Sequence, residues 1–594
     1  MIVYPSFMTV AAHRMLRRRM LSTVVIALGL FAGLFVLPSS LQAQQPDTSQ
    51  QKLPEIAPQE FEIRGELQLS FPSLKRQPLR GFASPPTIPS VPPDHTPFVE
   101  SYKQDLEDLP ESLPTPTSVT QSVAETKTPQ RGYIEVGGGR YASRFAGARY
   151  AVDLSPRQSL SVHADYDGTQ GFSPYSGAAS DLETPSDDVG GGVQFRSRHD
   201  SFSIQTRAFG SLTDYTLYGQ PGLTSDAPSR SGSRLGARGQ LRTFGRIESQ
   251  LGIGYTSTGY TTDPLSGSSQ EISEGRLALD GRLEIPIGSL ASYLDASLSR
   301  SSYSGDVSGS PSGFAVSGGA GTEVWSTDRL SVEAGVRVLS YSAPEDPGAT
   351  DDTESGTYVM PEARATYALT SSLTAFAENT PHLRDDGLNG LYGENPYANN
   401  VPSVRPTVFT TDANTGVRFS AGPIRVTSDA GFRYAPSYRA FTAPTGPSTP
   451  PQNLQVDYRS ARILHGGAAL ALQGVQNVET SLSVSLRDGT LVSPDEPIPH
   501  FSPVVADAMF SVSFLNDKAL VQTTGTVESA RPADISTDEE VDPYVSFDLE
   551  GSYQVTPLLD VLLNIQNVSP SAPTKWARYT RPPASVQAGI RIDW

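Results

Sequence analysis

The chain has 594 residues, of which 18% are charged and 37% apolar, with no Cys and a formal net charge of −18. Without Cys it can build neither a disulfide framework nor a thiolate metal site, and an acidic chain with only six Lys lacks the basic footprint of a nucleic-acid binder. A mean hydropathy of −0.29 is too polar for a bundle of membrane helices, but it suits a barrel, whose strands turn only every second residue toward lipid.

Residues 1–43 read as an export leader. Arg14, Arg17, Arg18 and Arg19 form a basic start, Leu21 to Val36 an apolar run of 16 residues, and Leu41-Gln42-Ala43 a cleavage site. The run is short for a spanning helix, so cleavage and export are expected. The mature chain then carries −22, since the leader removes four Arg and no acid. Residues 44–130 hold 15 Pro, against 32 in everything that follows. Such density favours extended, largely disordered chain on the periplasmic side; only Phe61 to Phe71 alternates well enough for a short strand or docking segment.

From Arg131 the pattern changes to segments of about ten residues that alternate apolar and polar side chains. Leu160, Val162, Ala164 and Tyr166 oppose Ser161, His163, Asp165 and Asp167. Leu330, Val332, Ala334, Val336 and Val338 oppose Ser331, Glu333, Gly335 and Arg337. Last come Val586, Ala588, Ile590, Ile592 and Trp594 against Gln587, Gly589, Arg591 and Asp593. The connections alternate too. Short links at 156–158, 199–200, 245–246, 287–288, 327–328, 371–372, 422–423, 516–518 and 557 take turns, with few exceptions, with long polar loops. These run over 170–187, 214–231, 301–311, 344–355, 382–407, 441–453, 488–498, 530–541 and 568–584. Short periplasmic turns and long outside loops are the plan of an outer-membrane barrel. The expected fold is therefore all-β: a transmembrane antiparallel barrel over 131–594 with about 22 strands, within a range of 16 to 22. Trp594, aromatic and lipid-facing on the final strand, is the expected signal for the barrel-assembly machinery.

No catalytic constellation stands out. The seven His form no HExxH or His-x-His spacing, and neither a GxSxG elbow nor a phosphate-binding loop is present. An enzyme, a cofactor and a metal site are not expected. The acidic loop from Pro344 to Glu354 does not have EF-hand spacing and reads as solvated charge. Loops on rigid scaffolds often carry binding, which makes Tyr392, Asn395 and Tyr397, together with Trp576 and Tyr579, the candidates for ligand contact. Packing against the rim is the alternative reading of the same residues.

The second half resembles the TonB-dependent receptors. The resemblance rests on Pro361-Glu362-Ala363-Arg364-Ala365-Thr366-Tyr367, Leu373 to Phe376, Asn395-Pro396-Tyr397, Arg405-Pro406 and Gly416-Val417-Arg418-Phe419. It is carried further by Leu562-Leu563-Asn564-Ile565-Gln566-Asn567, Trp576, Tyr579, Pro582-Pro583 and the strand from Val586. It implies solute binding or passage across the outer membrane, contact with outer-membrane lipid, and an inner-membrane energy-coupling complex or a separate periplasmic partner. Family members carry an N-terminal plug, whereas residues 44–130 show no plug pattern and no coupling box. Wide barrels are normally plugged, so a plugless porin-like channel, or a structural or adhesive barrel working through its outer loops, stands beside the receptor reading.

Overall fold

The computed structural model describes residues 131–594 apart from 175–181, 220–226, 266, 289, 307–310, 343–354, 402, 443–452, 493–494, 535–538 and 570–573. The leader, the Pro-rich segment with its alternating stretch, and the acidic loop at 344–354 lie outside the described residues.

The described chain is a closed antiparallel barrel of 22 strands. They are β1 Gly132–Gly139, β2 Arg144–Ser155, β3 Gln158–Thr169, β4 Ser186–Arg198, β5 Phe202–Thr216, β6 Ser229–Thr243, β7 Glu248–Asp263 and β8 Gln270–Ile287. Next come β9 Leu290–Gly305, β10 Ser312–Ser326, β11 Leu330–Ser342, β12 Ser355–Ala368, β13 Leu373–Asn379, β14 Thr411–Ala421 and β15 Ile424–Thr442. The series ends with β16 Gln455–Val475, β17 Val478–Val492, β18 Val504–Phe514, β19 Ala519–Glu528, β20 Tyr544–Thr556, β21 Leu559–Gln566 and β22 Ser585–Asp593. Each strand pairs with the next. The ring closes where β1 meets β22, with Tyr133 opposite Asp593 and Gly139 opposite Gln587. Trp594 seals the seam through its backbone: its N–H donates to Gly132 O (3.0 Å) and its carbonyl accepts from Gly132 N–H (3.2 Å).

Alternation sets the two faces. Ile134, Val136, Leu251, Ile253, Tyr255, Leu277, Leu279, Ile590 and Ile592 are all exposed on the outside. Their sequence neighbours, such as Glu135, Asp280 and Arg591, face the lumen because cross-strand partners share a side. A belt of exposed aliphatic side chains this continuous is a lipid-facing surface. Trp594 lies on it, 46% exposed, as its parity required.

The parity of connections holds around the ring from β2 onward, with three links that the sequence pattern left out: 140–143 between β1 and β2, the short β7–β8 connection, and 476–477 between β16 and β17. The last is a tight turn in which Asn477 takes φ 66°. At the same end of the barrel as that turn, Gly288 and Gly422 (φ 69° and 56°) supply the left-handed residue their turns need. The long β13–β14 connection departs from expectation in another way. It contains a helix, α1, at Gly387–Glu394, in a stretch rich in Gly and Asn that carries no helical periodicity.

Candidate functional site

The site is built on the shortness of one strand. β13 ends at Asn379, and Pro381, with no N–H to give a ladder, stops further pairing. The chain leaves the wall and folds into the mouth. His382–Arg384 and Thr407–Phe409 pair as a small ribbon. That ribbon touches β15 at Ser437, where a break in the β15–β16 register lets the strand bend. Between the arms of the ribbon lie α1 and the return segment 395–406.

Lumen-facing polar groups hold this segment in place. Glu274 on β8, only 3% exposed, accepts from Leu388 N–H (2.7 Å) at the start of α1, where a carboxylate suits the helix dipole. It also accepts from Ser301 Oγ (2.6 Å). Gly387 is required at that point: its φ is 60°, and a Cβ there would lie 2.3 Å from the Glu274 carboxylate. One residue earlier, Arg439 of β15 bonds Asp386 (3.2 Å) and, at the far end of α1, Glu394, with its own side chain 1% exposed. Asp385 pairs with Arg276 (2.9 Å) and accepts from Ser299 Oγ.

The return segment is anchored by Arg230 at the loop end of β6. This side chain is fully buried and has no carboxylate partner among the described residues; instead it donates to Pro396 O (2.8 Å), Ala398 O (2.8 Å), Asn400 Oδ1 (3.1 Å) and Thr262 Oγ1 (2.9 Å). Its guanidinium also lies over the Tyr392 ring, 4.5 Å from the centroid. Planar delocalised charge of this kind suits a buried site made of carbonyls. The segment therefore spans from β6–β9 on one wall to β15–β16 on another, where Asn399 and Leu454 exchange backbone bonds of 2.8 and 2.9 Å with each other and Tyr397. Its inner end sits at the depth where the outer apolar belt begins, since Arg276 is followed on the outer face by Leu277, and Ser299 is preceded there by Leu298.

Four of the five residues expected at ligand contacts, Tyr392, Tyr397, Trp576 and Tyr579, meet here in one apolar cluster with Phe172, Leu182, Tyr218, Leu388, Leu391, Phe441 and Leu454. Tyr392 is 3% exposed and packs on Tyr260 (4.2 Å between centroids). Asn395 is fully buried; its Oδ1 accepts from Tyr397 N–H (3.0 Å), and its Nδ2 has no partner among the described residues. Tyr397 stacks on Tyr579 at 3.5 Å and 13°. Trp576 meets Phe441 and His500 edge-on at 5.3 and 5.0 Å. Rim packing is thus what these rings do in this state. The anchors Arg230, Glu274, Asp385 and Arg439 were not singled out from the sequence, since each looks like any other charged lumen residue until register places it opposite the loop.

Beside Trp576, burial and the nearby Arg531 guanidinium push the His500 imidazole down to about 3, against a weaker opposing pull from Asp534. Both its ring nitrogens lack a partner among the described residues. Arg531, itself 1% exposed, donates to Lys575 O (2.6 Å) and Thr574 O (3.0 Å), fastening the β19–β20 loop to the final one. Among the described residues no group of three or more His, Asp or Glu is placed to hold a metal ion.

No family profile and no curated protein sequence matches the chain. Its fold is shared with solved structures. The copper transporter OprC matches at 13% identity and a TM-score of 0.58, over 78% of this chain and 82% of that one. The siderophore receptor PiuA from Acinetobacter baumannii gives 12% and 0.59, over 79% and 82%. The FrpB iron transporter from Neisseria meningitidis gives 7% and 0.61, over 79% and 82%. At such identities the likeness is one of fold.

Proposed function

We propose that this chain, whose barrel has the fold of the TonB-dependent receptors it resembles in sequence, is an outer-membrane receptor that takes up a solute through a mouth gated by its β13–β14 loop. The observation that supports this most is the inward fastening of that loop to strands on separate walls. A general porin needs a standing aqueous channel, whereas here a loop with its own helix is fastened across the mouth by buried, paired side chains. An adhesive barrel would have no need to turn its longest connection inward. Gating also gives the aromatic candidates a role. Tyr397 stacks on Tyr579 and Trp576 packs on Phe441 and His500 when the loop is docked, and these rings become available to a ligand, together with Tyr392 and Asn395, when the loop lifts. Export by a cleaved leader and coupling to an inner-membrane energising complex belong to the same reading, as the resemblance implies.

Liposome swelling tests it. Vesicles carrying the full chain should stay tight to small sugars, and vesicles carrying the Arg230→Met, Arg439→Gln variant should admit them. Equal, rapid swelling with both proteins contradicts gating by the loop and favours an open porin.

A further inference from the structure

The lumen is not evenly charged. On β1–β3 the inward positions carry Glu135, Asp153, Asp165 and Asp167 against Arg149; on β20–β22 they carry Asp548, Glu550, Asp560 and Asp593 against Arg591. The wall made by β4–β6 is the reverse. Its inward positions hold Arg196, Arg198, Arg207, Arg234, Arg238 and Arg242, with Asp188 as the only carboxylate. In a chain of net −18 this concentration is against the grain of the composition.

The arrangement is also costly as it stands. Arg207 and Arg238 are directly opposite across the β5–β6 ladder, and like charges so placed repel. Asp280 neutralises Arg238 at 3.0 Å. Among the described residues no carboxylate pairs with Arg196, Arg198, Arg207 or Arg234, and Arg234 Nε has no hydrogen-bond partner at all. Arg207 and Arg234 lie over the Phe209 ring, 5.5 and 4.7 Å from its centroid. That ring lies flat against the wall because Gly236 leaves room: a Cβ there would come within 2.5 Å of it. Gln194 lies between Arg196 and Gln205, and with its amide turned so that the carbonyl faces them it accepts from both, at 2.9 and 2.6 Å. These groups lie at the depth of the lipid belt, since Leu235, next to Arg234 in sequence, is 69% exposed on the outer face. Charged side chains at that depth mark solute pathways, and arginines lining a pore select anions.

We infer that the β4–β6 wall is a binding surface for anionic solutes bearing carboxylate or phosphate groups, and that it gives the lumen its selectivity. The inference rests on the uptake reading and names the solute class it serves. Arg207, Arg234 and Arg238 supply guanidinium forks for oxyanions, Phe209 an apolar floor, and Gln194 and Gln205 neutral hydrogen bonds.

Calorimetric titration of the detergent-solubilised full chain with citrate, and separately with inorganic pyrophosphate, tests this, with sucrose as the neutral control. Citrate or pyrophosphate should bind, sucrose should not, and affinity should fall as NaCl rises. Arg207→Gln with Arg234→Gln should weaken binding ~10-fold or more, as loss of charge-assisted bonds requires, while Arg364→Gln on β12 should leave it unchanged. If the double variant does not fold, Arg207→Gln alone should still weaken binding ~3-fold, a part of the same loss. Absence of binding by either anion, or binding unaffected by the β5–β6 substitutions, overturns the inference. A second measurement separates it from the uptake reading. With the β13–β14 loop removed, the reversal potential should favour chloride and lose that preference in the double variant. Conduction without anion preference sinks the inference and leaves uptake standing. Failure to conduct at all sinks uptake, and the titration still decides the anion surface.

Discussion

Replacing Arg230 with Met should release the loop from the β6 wall. Met keeps most of the aliphatic stem but none of the four hydrogen bonds. Two of the acceptors are not left bare: Pro396 O still accepts from Tyr215 OH (2.8 Å), and Asn400 Oδ1 from Thr262 Oγ1 (3.1 Å) and Tyr392 OH (3.3 Å). Ala398 O has no second donor among the described residues, and orphaning a buried carbonyl costs about 1–3 kcal/mol. Loss of the guanidinium from the Tyr392 ring adds about 1 kcal/mol. Relief from burying an uncompensated charge works the other way and is offset by loss of the other three charge-assisted bonds, so a net cost of about 3 kcal/mol is expected, equivalent to ~100-fold in the opening equilibrium. Hydrogen exchange reads that equilibrium directly. The amides of Asn395 and Ala398, which donate to Leu391 O (2.9 Å) and Asn395 O (3.1 Å), should lose protection ~100-fold, while the β5 and β7 amides keep theirs. Protection of 395–398 unchanged in the variant would refute the assignment of Arg230 as the anchor.

Other outcomes follow from the same geometry. Arg439→Gln removes a buried cation from Asp386 and Glu394, but both carboxylates are about a third exposed and keep Arg384 (3.6 and 2.9 Å). The cost should therefore fall to about 1–2 kcal/mol, seen as a smaller loss of protection confined to α1. His500 is held neutral with a pKa of about 3, below the 6.5 of an unfolded His. Its contribution to loop docking is full above pH 6.5 and declines by about 1.4 kcal/mol per pH unit as pH falls toward 3. Trp576 fluorescence in a Trp325→Phe, Trp594→Phe variant, which keeps an aromatic ring at position 594, should report undocking between pH 6 and pH 4, and His500→Asn should abolish that dependence. Trp594→Ala keeps the backbone seam to Gly132 but loses the aromatic ring. If that ring is the assembly signal, the heat-modifiable fraction in outer membranes should drop, and an unchanged fraction contradicts that role.

The barrel was legible because its signals are local. Alternation at 330–338 and 586–594 and tight links such as 199–200 and 422–423 need no knowledge of the partner strand. The gate was not. α1 is spelled Gly-Leu-Asn-Gly-Leu-Tyr-Gly-Glu, poor helix-forming material, and it forms because Glu274 receives its first turn and Arg439 bridges its ends, both from distant strands. Burial of Tyr392 and Asn395 likewise depends on which wall the loop reaches. The anion surface left one trace in the sequence. Arg230, Arg234, Arg238 and Arg242 recur every fourth residue, so in a strand all four share a face. Recognising them as a wall required the β4–β5 and β5–β6 registers, which bring Arg196, Arg198 and Arg207 alongside.

The central claim is that the loop between β13 and β14 shuts the barrel. Planar-bilayer recording of the full chain, beside a chain in which residues 387–401 are replaced by a short Gly-Ser link, tests it most directly. Heat modifiability first establishes that both barrels are folded. The account predicts a quiet baseline from the full chain and large, stable conductance steps from the loop-replaced one. Equal conductance from the two proteins, whether both open or both silent, would contradict it.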